Sequence, residues 1–425
     1  MPAAPTHAIL DLAGGGGELS FEARIAGAEP RRLWYRTTTE LEPSADAALA
    51  TCVMPAMRSG GGLTMSEPVS PRMLRNQREF QAIQRAWSFG WDFGEPALEE
   101  VEVSAPVRAP GRRDPTGRVA AFFSGGVDSF ATILDNPDLT DLIFVRGYDL
   151  LPGLSHQEGL ADQVEERLRA AAADLGLPLH VVETNARELS DPLLRWETYS
   201  ACPLVAIALF FEPLFDRVLI PGDTDHETQP PIGSARLVDQ LWSTENLEIV
   251  DDGGRFGREE RIARIAGHPV VRRTLRVCWE NPDAAYNCGR CRKCMLTKIS
   301  LEAIGAREEV TTFPPELDLG LLDDYEMSQP IQLVLWEDVL DTIRDRGRED
   351  LERAVGPMVA RGKRALGLSQ DYRLRRSRGG TGPAGPTLEL EQAQQQLESV
   401  LASRSWRMTE PARRLATRLR TRLRP

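Results

Sequence analysis

The chain has 425 residues, 41% of them hydrophobic and 27% charged, the make-up of a soluble globular protein with length for two to three domains. Its formal net charge of −12 offers no general attraction to nucleic acid, and Lys293, Lys298 and Lys363 are its only lysines, so the basic side chains are nearly all arginine. The opening MPAAPTHAILDLAGGGGELS has no basic leader or sustained apolar core, and the longest apolar run, ACPLVAIALFF at 201–211, is too short to span a bilayer, so neither a secretory signal nor a membrane span is expected and a cytoplasmic location is.

Residues 1–105 carry short alternating segments such as LSFEARIAG and ALEEVEVSAPV, which predict a strand-rich N-terminal accessory region. Within it, SPRMLRNQREFQAIQRAWSFGW predicts one helix, with Ser70 at the cap and Pro71 in the first turn. Residues 106–117, PVRAPGRRDPTG, read as a linker. From 118 onward apolar runs alternate with helical stretches. VAAFF, DLIFVRG, LHVVETN and RVLIPGD predict strands; DSFATILDN, SHQEGLADQVEERLRAAAADLG and the 201–211 run predict helices. The expectation is an α/β domain over 118–325, a parallel sheet with helices on both faces. Ligands of such sheets bind at the carboxyl ends of the strands, here Ser124–Ser129, Arg146–Asp149, Thr184–Arg187 and Gly222–His226. Residues 326–370 predict a helical extension, 371–387 a flexible linker containing RGGTGPAGP, and 388–425 a basic amphipathic helical tail.

Between the first strand of the domain and its helix lies Ser124-Gly125-Gly126-Val127-Asp128-Ser129. The glycines let main-chain N–H groups approach phosphate oxygens, the helix start faces the anion, and Ser124 and Ser129 add hydroxyl donors. Asp128 would repel phosphate, so its expected use is through Mg²⁺. Tyr148 and Asp149, at the end of the second strand, are candidate adenine or ribose neighbours by position. SGGVDS resembles the PP-loop of the N-type ATP pyrophosphatases, the superfamily that includes asparagine synthetase, GMP synthetase, NAD synthetase and tRNA-modifying enzymes. The resemblance implies an adenine nucleotide alpha hydrolase-like fold in which residues Ser124 to Ser129 grip the pyrophosphate end of ATP, with Asp128 and Ser129 catalytic. Such enzymes cleave between the α and β phosphates, transfer AMP to a substrate oxygen, and let a nitrogen or sulfur nucleophile displace it. The loop then stabilises departing pyrophosphate, which accounts for the missing Walker lysine.

Downstream, C-x9-C-G-x-C-x-x-C places Cys278, Cys288, Cys291 and Cys294 in one short segment. Two x2 spacings let backbone N–H groups fold around the sulfurs, and Gly289 eases the turn. Four thiolates suit a closed structural Zn²⁺ site; an iron–sulfur cluster is the competing occupant, although the proline that ends ferredoxin-type runs is absent. A PP-loop followed by this cluster is similar to the cyano-deazaguanine synthase family, in which four cysteines hold zinc near the nucleotide site. The match covers Ser124, Gly125, Gly126, Asp128, Ser129 and the four cysteines, and does not extend to the segment between Gly222 and Cys278. The superfamily is carried over on this ground, and the deazapurine substrate is not.

Weaker signals complete the reading. Asp223, Asp225 and His226 would meet Mg²⁺ or a substrate amine, or form a solvated loop. The run Pro231-Ile232-Gly233-Ser234 reads as a simple turn, or as one lining the substrate cavity, and Ser243 and Glu245 as a helix N-cap region; Arg258 and Arg261 would pair with Glu259 or Glu260, or bind a carboxylate or phosphate. Cys202, in the apolar run, is expected to be buried and inert. Arg404 to Arg424 contains eight arginines against Glu410, with Met408, Ala412, Leu415, Leu419 and Leu423 on one face, a pattern for a membrane surface or a protein partner, or for a frayed, solvated terminal helix. SRSWRMTEPARRL also resembles a short module at the ends of bacterial glycosyltransferases and other polysaccharide-biosynthesis proteins, which implies work near the inner membrane surface. The expected function is an ATP-dependent ligase or amidotransferase that adenylates a carboxylate or amide oxygen, releases pyrophosphate, and joins nitrogen to a glycan or nucleoside-like precursor. No glutaminase domain is visible, so ammonia comes from solution or a partner. The alternatives are a sulfur-transferring enzyme, using Cys202 or a cluster cysteine, and a non-catalytic nucleotide-binding scaffold.

Overall fold

Apolar residues alternate in β2 (Glu18–Arg24) and β3 (Arg31–Thr37), burying Leu19, Phe21, Leu33 and Tyr35 on one face. By contrast β6 (Val119–Phe122), β7 (Asp141–Arg146) and β9 (Arg217–Pro221) are continuous apolar runs, as strands covered on both faces require. With β1 (Thr6–Gly15), β4 (Gly61–Met65), β5 (Val101–Ser104), β8 (Leu179–Thr184) and β10 (Glu248–Asp252) they make a ten-stranded sheet in the order β10-β9-β6-β7-β8-β3-β2-β1-β4-β5. The computed structural model describes residues 5–90, 97–109, 111–151, 157, 159–230, 233–327 and 329–369. The chain divides into two units, Met1–Arg375 and Arg376–Pro425, and every described residue belongs to the first. The linker expected at 371–387, the basic tail at 388–425, and Pro231 and Ile232 lie outside the described residues.

The architecture is α/β and the sheet mostly parallel. The block β10-β9-β6-β7-β8 is parallel throughout. Taken in chain order its strands lie 5-4-1-2-3, the Rossmann-like arrangement in which the connections reverse direction between β6 and β9. Helices Val127–Asp135, Leu160–Leu175 and Ala201–Phe210 connect these strands, and each falls where the sequence pattern predicts a helix. The pleat sorts side chains between two cores. Ala120, Phe122, Ile143 and Val182 face one, and Ala121, Phe123, Leu142 and Phe144 face the other.

The N-terminal region is part of the same sheet. β3 pairs antiparallel with β8, Tyr35 opposite Thr184, and the core that holds Ile143 and Val182 also holds Ile9, Phe21, Leu33 and Leu63. Besides its strands this region contains helix Ala45–Met57, which the sequence pattern does not show because its apolar residues run without a period. Ser44 caps it by accepting from the Ala47 N–H at 3.2 Å. The helix packs on Ala201–Phe210, and Thr51 ties it to β3 and to the turn before that helix: its hydroxyl bonds Tyr35 Oη at 2.7 Å and its carbonyl accepts from Tyr199 Oη at 2.9 Å. The predicted helix at 70–91 is found at Pro71–Gly90, with the Ser70 hydroxyl accepting from the Met73 N–H at 3.1 Å. Helices Pro330–Asp345 and Glu349–Ala365 follow the α/β part, joined by an ion pair of Glu337 with Lys363 at 2.9 Å. Among the described residues no helix is long and apolar enough to cross a membrane.

Candidate functional site

The chain leaves β6 at the reversal point between β6 and β9, where open α/β sheets form their ligand crevice. Gly125 takes φ +75°, the left-handed region that favours glycine at this turn. Gly126 is the N-cap of helix Val127–Asp135, whose first N–H groups have no partner within the helix. The Ser124 hydroxyl accepts from the Gly126 N–H at 3.3 Å, and the Ser129 hydroxyl donates to the Gly126 carbonyl at 3.1 Å. A cavity of about 200 Å³ opens here, lined by Ser124, Asp128, Ser129, Tyr148, Asp149 and Arg276 among others. The sequence-predicted residues of β6 and β7 therefore converge on one space, with Gly125, Gly126 and Val127 supplying the turn. Tyr148 packs edge-on against Trp196 at 4.9 Å, and its carbonyl accepts from Arg187 Nη1 at 2.8 Å.

Asp128 is engaged by arginine. Its Oδ1 accepts from Arg261 Nη1 at 2.7 Å, and Arg258 Nη1 lies 3.5 Å from Oδ2. Glu259 accepts from the Ser300 hydroxyl at 2.7 Å, and burial pushes its carboxyl up while Arg258 is close enough to draw it down. Arg261 is buried and ties three strand ends together, donating also to the carbonyls of Gly222, Thr224 and Gly253. Two guanidinium groups thus engage the Asp128 carboxylate.

The end of β9 divides by residue. Asp225 closes a turn, its Oδ1 accepting from the N–H groups of Glu227 at 3.1 Å and Thr228 at 3.0 Å, and His226 lies exposed against Gly254. Asp223 is exposed, and loss of hydration and then Asp128 push its carboxyl up, against the pull of Lys293 and Arg261. Behind it Asp251 and Asp239 are 3% and 1% exposed. Burial raises Asp251 to about 7 and Asp239 to about 8, each helped by its acidic neighbours. Glu245 caps no local helix: its carboxylate reaches helix Pro71–Gly90, accepting from the Ser70 hydroxyl at 2.7 Å and the Arg72 N–H at 2.8 Å.

The four cysteines meet as their spacing predicts. All four Sγ atoms lie within 4.8 Å of one another, with Cys278 to Cys291 and Cys288 to Cys294 each at 3.9 Å. A zinc tetrahedron with 2.3 Å bonds has an edge of about 3.8 Å, so the cluster is sized to hold a metal ion such as zinc. Backbone N–H groups turn toward sulfur, Asn281 to Cys278 at 3.3 Å and Cys291 to Cys288 at 3.2 Å, and Gly289 has φ +75°. Hydrogen bonds from the Cys291 and Cys294 thiols hold Cys278 well below the usual thiol range. The Lys298 ammonium, buried nearby, is drawn down by lost hydration and by Arg307 and held up by Cys294 and Cys288. Cys202, in the apolar helix, is fully buried, and burial pushes its thiol far up.

Two site residues escape the sequence pattern. Arg276 sits just before Cys278, lines the cavity, and donates its N–H to the Gly125 carbonyl at 2.8 Å. Asn281 takes φ +43° and ψ +46° and accepts from Arg276 Nη2 at 2.9 Å. Their only sequence signal is proximity to the first cysteine. Compared with known proteins, the chain matches no family model, no curated protein and no solved structure.

Proposed function

We propose that the chain is a PP-loop ATP pyrophosphatase that adenylates an acceptor carboxylate or amide oxygen and passes the activated carbon to a nitrogen nucleophile. The observation that carries this reading is the SGGVDS turn at the β6–β9 reversal, sharing its cavity with Arg276. Arg276 is 7% exposed, and its Nε is buried without a hydrogen-bond partner among the described residues. A buried cation of this kind is stabilised by an anion, and the helix start beside it attracts the same charge. In the reaction the acceptor oxygen attacks the α-phosphorus, the bond to the bridging oxygen breaks, and pyrophosphate leaves with the electron pair. Loop N–H groups, the hydroxyls of Ser124 and Ser129, and Arg276 take up the developing charge. Asp128 keeps Arg261 in place between the loop and the ends of β9 and β10. Tyr148 and Asp149 meet the nucleoside end, and ATP arrives with Mg²⁺, which would neutralise its phosphate oxygens. Nitrogen then attacks the activated carbon and AMP leaves, the nitrogen losing a proton to solvent. Ammonia or an amine comes from solution or a partner, and the acceptor class is a glycan or nucleoside-like precursor reached at the inner membrane surface through the basic tail. The four cysteines hold structural zinc. Sulfur transfer through Cys202 is disfavoured by its complete burial.

Pyrophosphate release from ATP·Mg²⁺, measured across carboxylate and sugar-nucleotide acceptors, tests the proposal. Release with one acceptor class is expected, and Asp128→Asn, which keeps the shape but loosens Arg261, should lower it about 100-fold while the metal stays bound. ATP binding without release for any acceptor would favour a nucleotide-binding scaffold instead.

A further inference from the structure

The segment from Leu275 to Cys278 touches both the phosphate-type loop and the cysteine cluster. At one end the Arg276 N–H donates to the Gly125 carbonyl at 2.8 Å. At the other, Cys278 belongs to the cluster. Two buried asparagines stitch the segment to the cysteines. Asn287, next to Cys288, accepts from the N–H groups of Val277 at 2.9 Å and Cys278 at 3.2 Å and donates to the Leu275 carbonyl at 2.9 Å. Asn281 is wholly buried and works in both directions: its N–H donates to Cys278 Sγ at 3.3 Å, and its side-chain oxygen accepts from Arg276 Nη2 at 2.9 Å. Arg276 Nε has no hydrogen-bond partner among the described residues.

The backbone around Asn281 is not relaxed. Asn281, Asp283 and Ala284 all have φ between +43° and +55°, a region that L-residues rarely adopt and that Asn tolerates best. Such a conformation persists where its surroundings impose it, and here those surroundings include the Cys278 sulfur. A metal that fixes Cys278 and Cys288 therefore also fixes the asparagines that aim Arg276. From these contacts we infer that the cysteine centre sets the phosphate affinity of the loop, with Asn281 as the positioning residue between Cys278 and Arg276. The inference rests on the reading of Ser124–Ser129 as a phosphate site, and deepens it: loss of metal or oxidation of the thiols switches off anion binding at a distance.

The probe is inorganic pyrophosphate, titrated calorimetrically into the full-length, metal-loaded protein, with metal content measured in parallel. Asn281→Gly tolerates the left-handed backbone and keeps the N–H to Cys278 while removing the hold on Arg276. It should retain its metal and bind pyrophosphate about tenfold or more weakly, the scale of one lost hydrogen bond to a charged group. Arg276→Ala should weaken binding at least as much. Stripping the metal should weaken the wild-type protein and leave Asn281→Gly little changed, because both changes break one linkage. Unchanged affinity in metal-loaded Asn281→Gly would overturn the coupling, as would an equal loss on stripping in both proteins. If metal-loaded wild type fails to bind pyrophosphate at all, the phosphate site itself is wrong. Should stripping unfold the protein, Asn281→Gly with its metal bound decides the matter alone.

Discussion

Both carboxylate oxygens of Asp251 and Oδ1 of Asp239 are buried without a hydrogen-bond partner among the described residues. The folded protein therefore holds these carboxyls protonated at a pH where the unfolded chain, with a value near 3.8, has lost the protons. Because the folded values are raised, to about 7 and about 8, the stability they permit is fully present below about pH 4 and is lost as pH climbs through that window. Asp251→Asn, which copies the neutral form, should match wild type in denaturant midpoint at about pH 3 to 4 and exceed it progressively as pH rises to 7 and above. Parallel curves for the two proteins would show that Asp251 is ionised in the fold. None of this is legible in EIVDD, where nothing separates a buried acid from a solvated one. The loop was legible because all six residues are contiguous, and the cysteines because x2 spacing is itself a geometry. Arg276 was not, since it reaches Gly125 from about 150 positions downstream, a distance that only tertiary folding closes.

At the scale of elements, long helices and parallel strands follow from periodicity, while their ends are secured from elsewhere. Helix Pro71–Gly90 shows its own start, Ser70 then Pro71, yet half of its cap is Glu245, which arrives from beyond β9. Burial alone would raise that carboxyl, but hydrogen bonds from Ser70 and Arg72 hold it below its usual range. Glu245→Ala should cost about 1 kcal/mol, the usual worth of a capping contact. Amide exchange at Arg72 should then quicken while helix Val127–Asp135 keeps its protection; equal exchange at Arg72 in both proteins would dismiss the cap. The hidden helix Ala45–Met57 illustrates the opposite limit. Nearly every side is buried, so it has no polar face to mark a period.

At the scale of the whole molecule, the N-terminal strands and the parallel half of the sheet share one core through β3, β8 and the Thr51 contacts with Tyr35 and Tyr199. A chain lacking residues 1–105 would bare the apolar face of helix Ala201–Phe210 and leave β8 an open edge. It should be insoluble or unfolded, and intact protein should unfold its two halves together; a soluble truncated chain that binds pyrophosphate would contradict this. The pairing could not be foreseen from sequence, because a strand's alternation is the same whichever neighbour it takes.

The scarcity of lysine has a practical side. Lys298 and Lys363 are 1% and 6% exposed, which leaves Lys293, exposed and close enough to Asp223 to draw its carboxyl down, as the single open side-chain amine. Apart from the chain's α-amine, an acylating dye would therefore label the protein beside the candidate site, so the protein carries its own attachment point for an optical reporter of ligand occupancy.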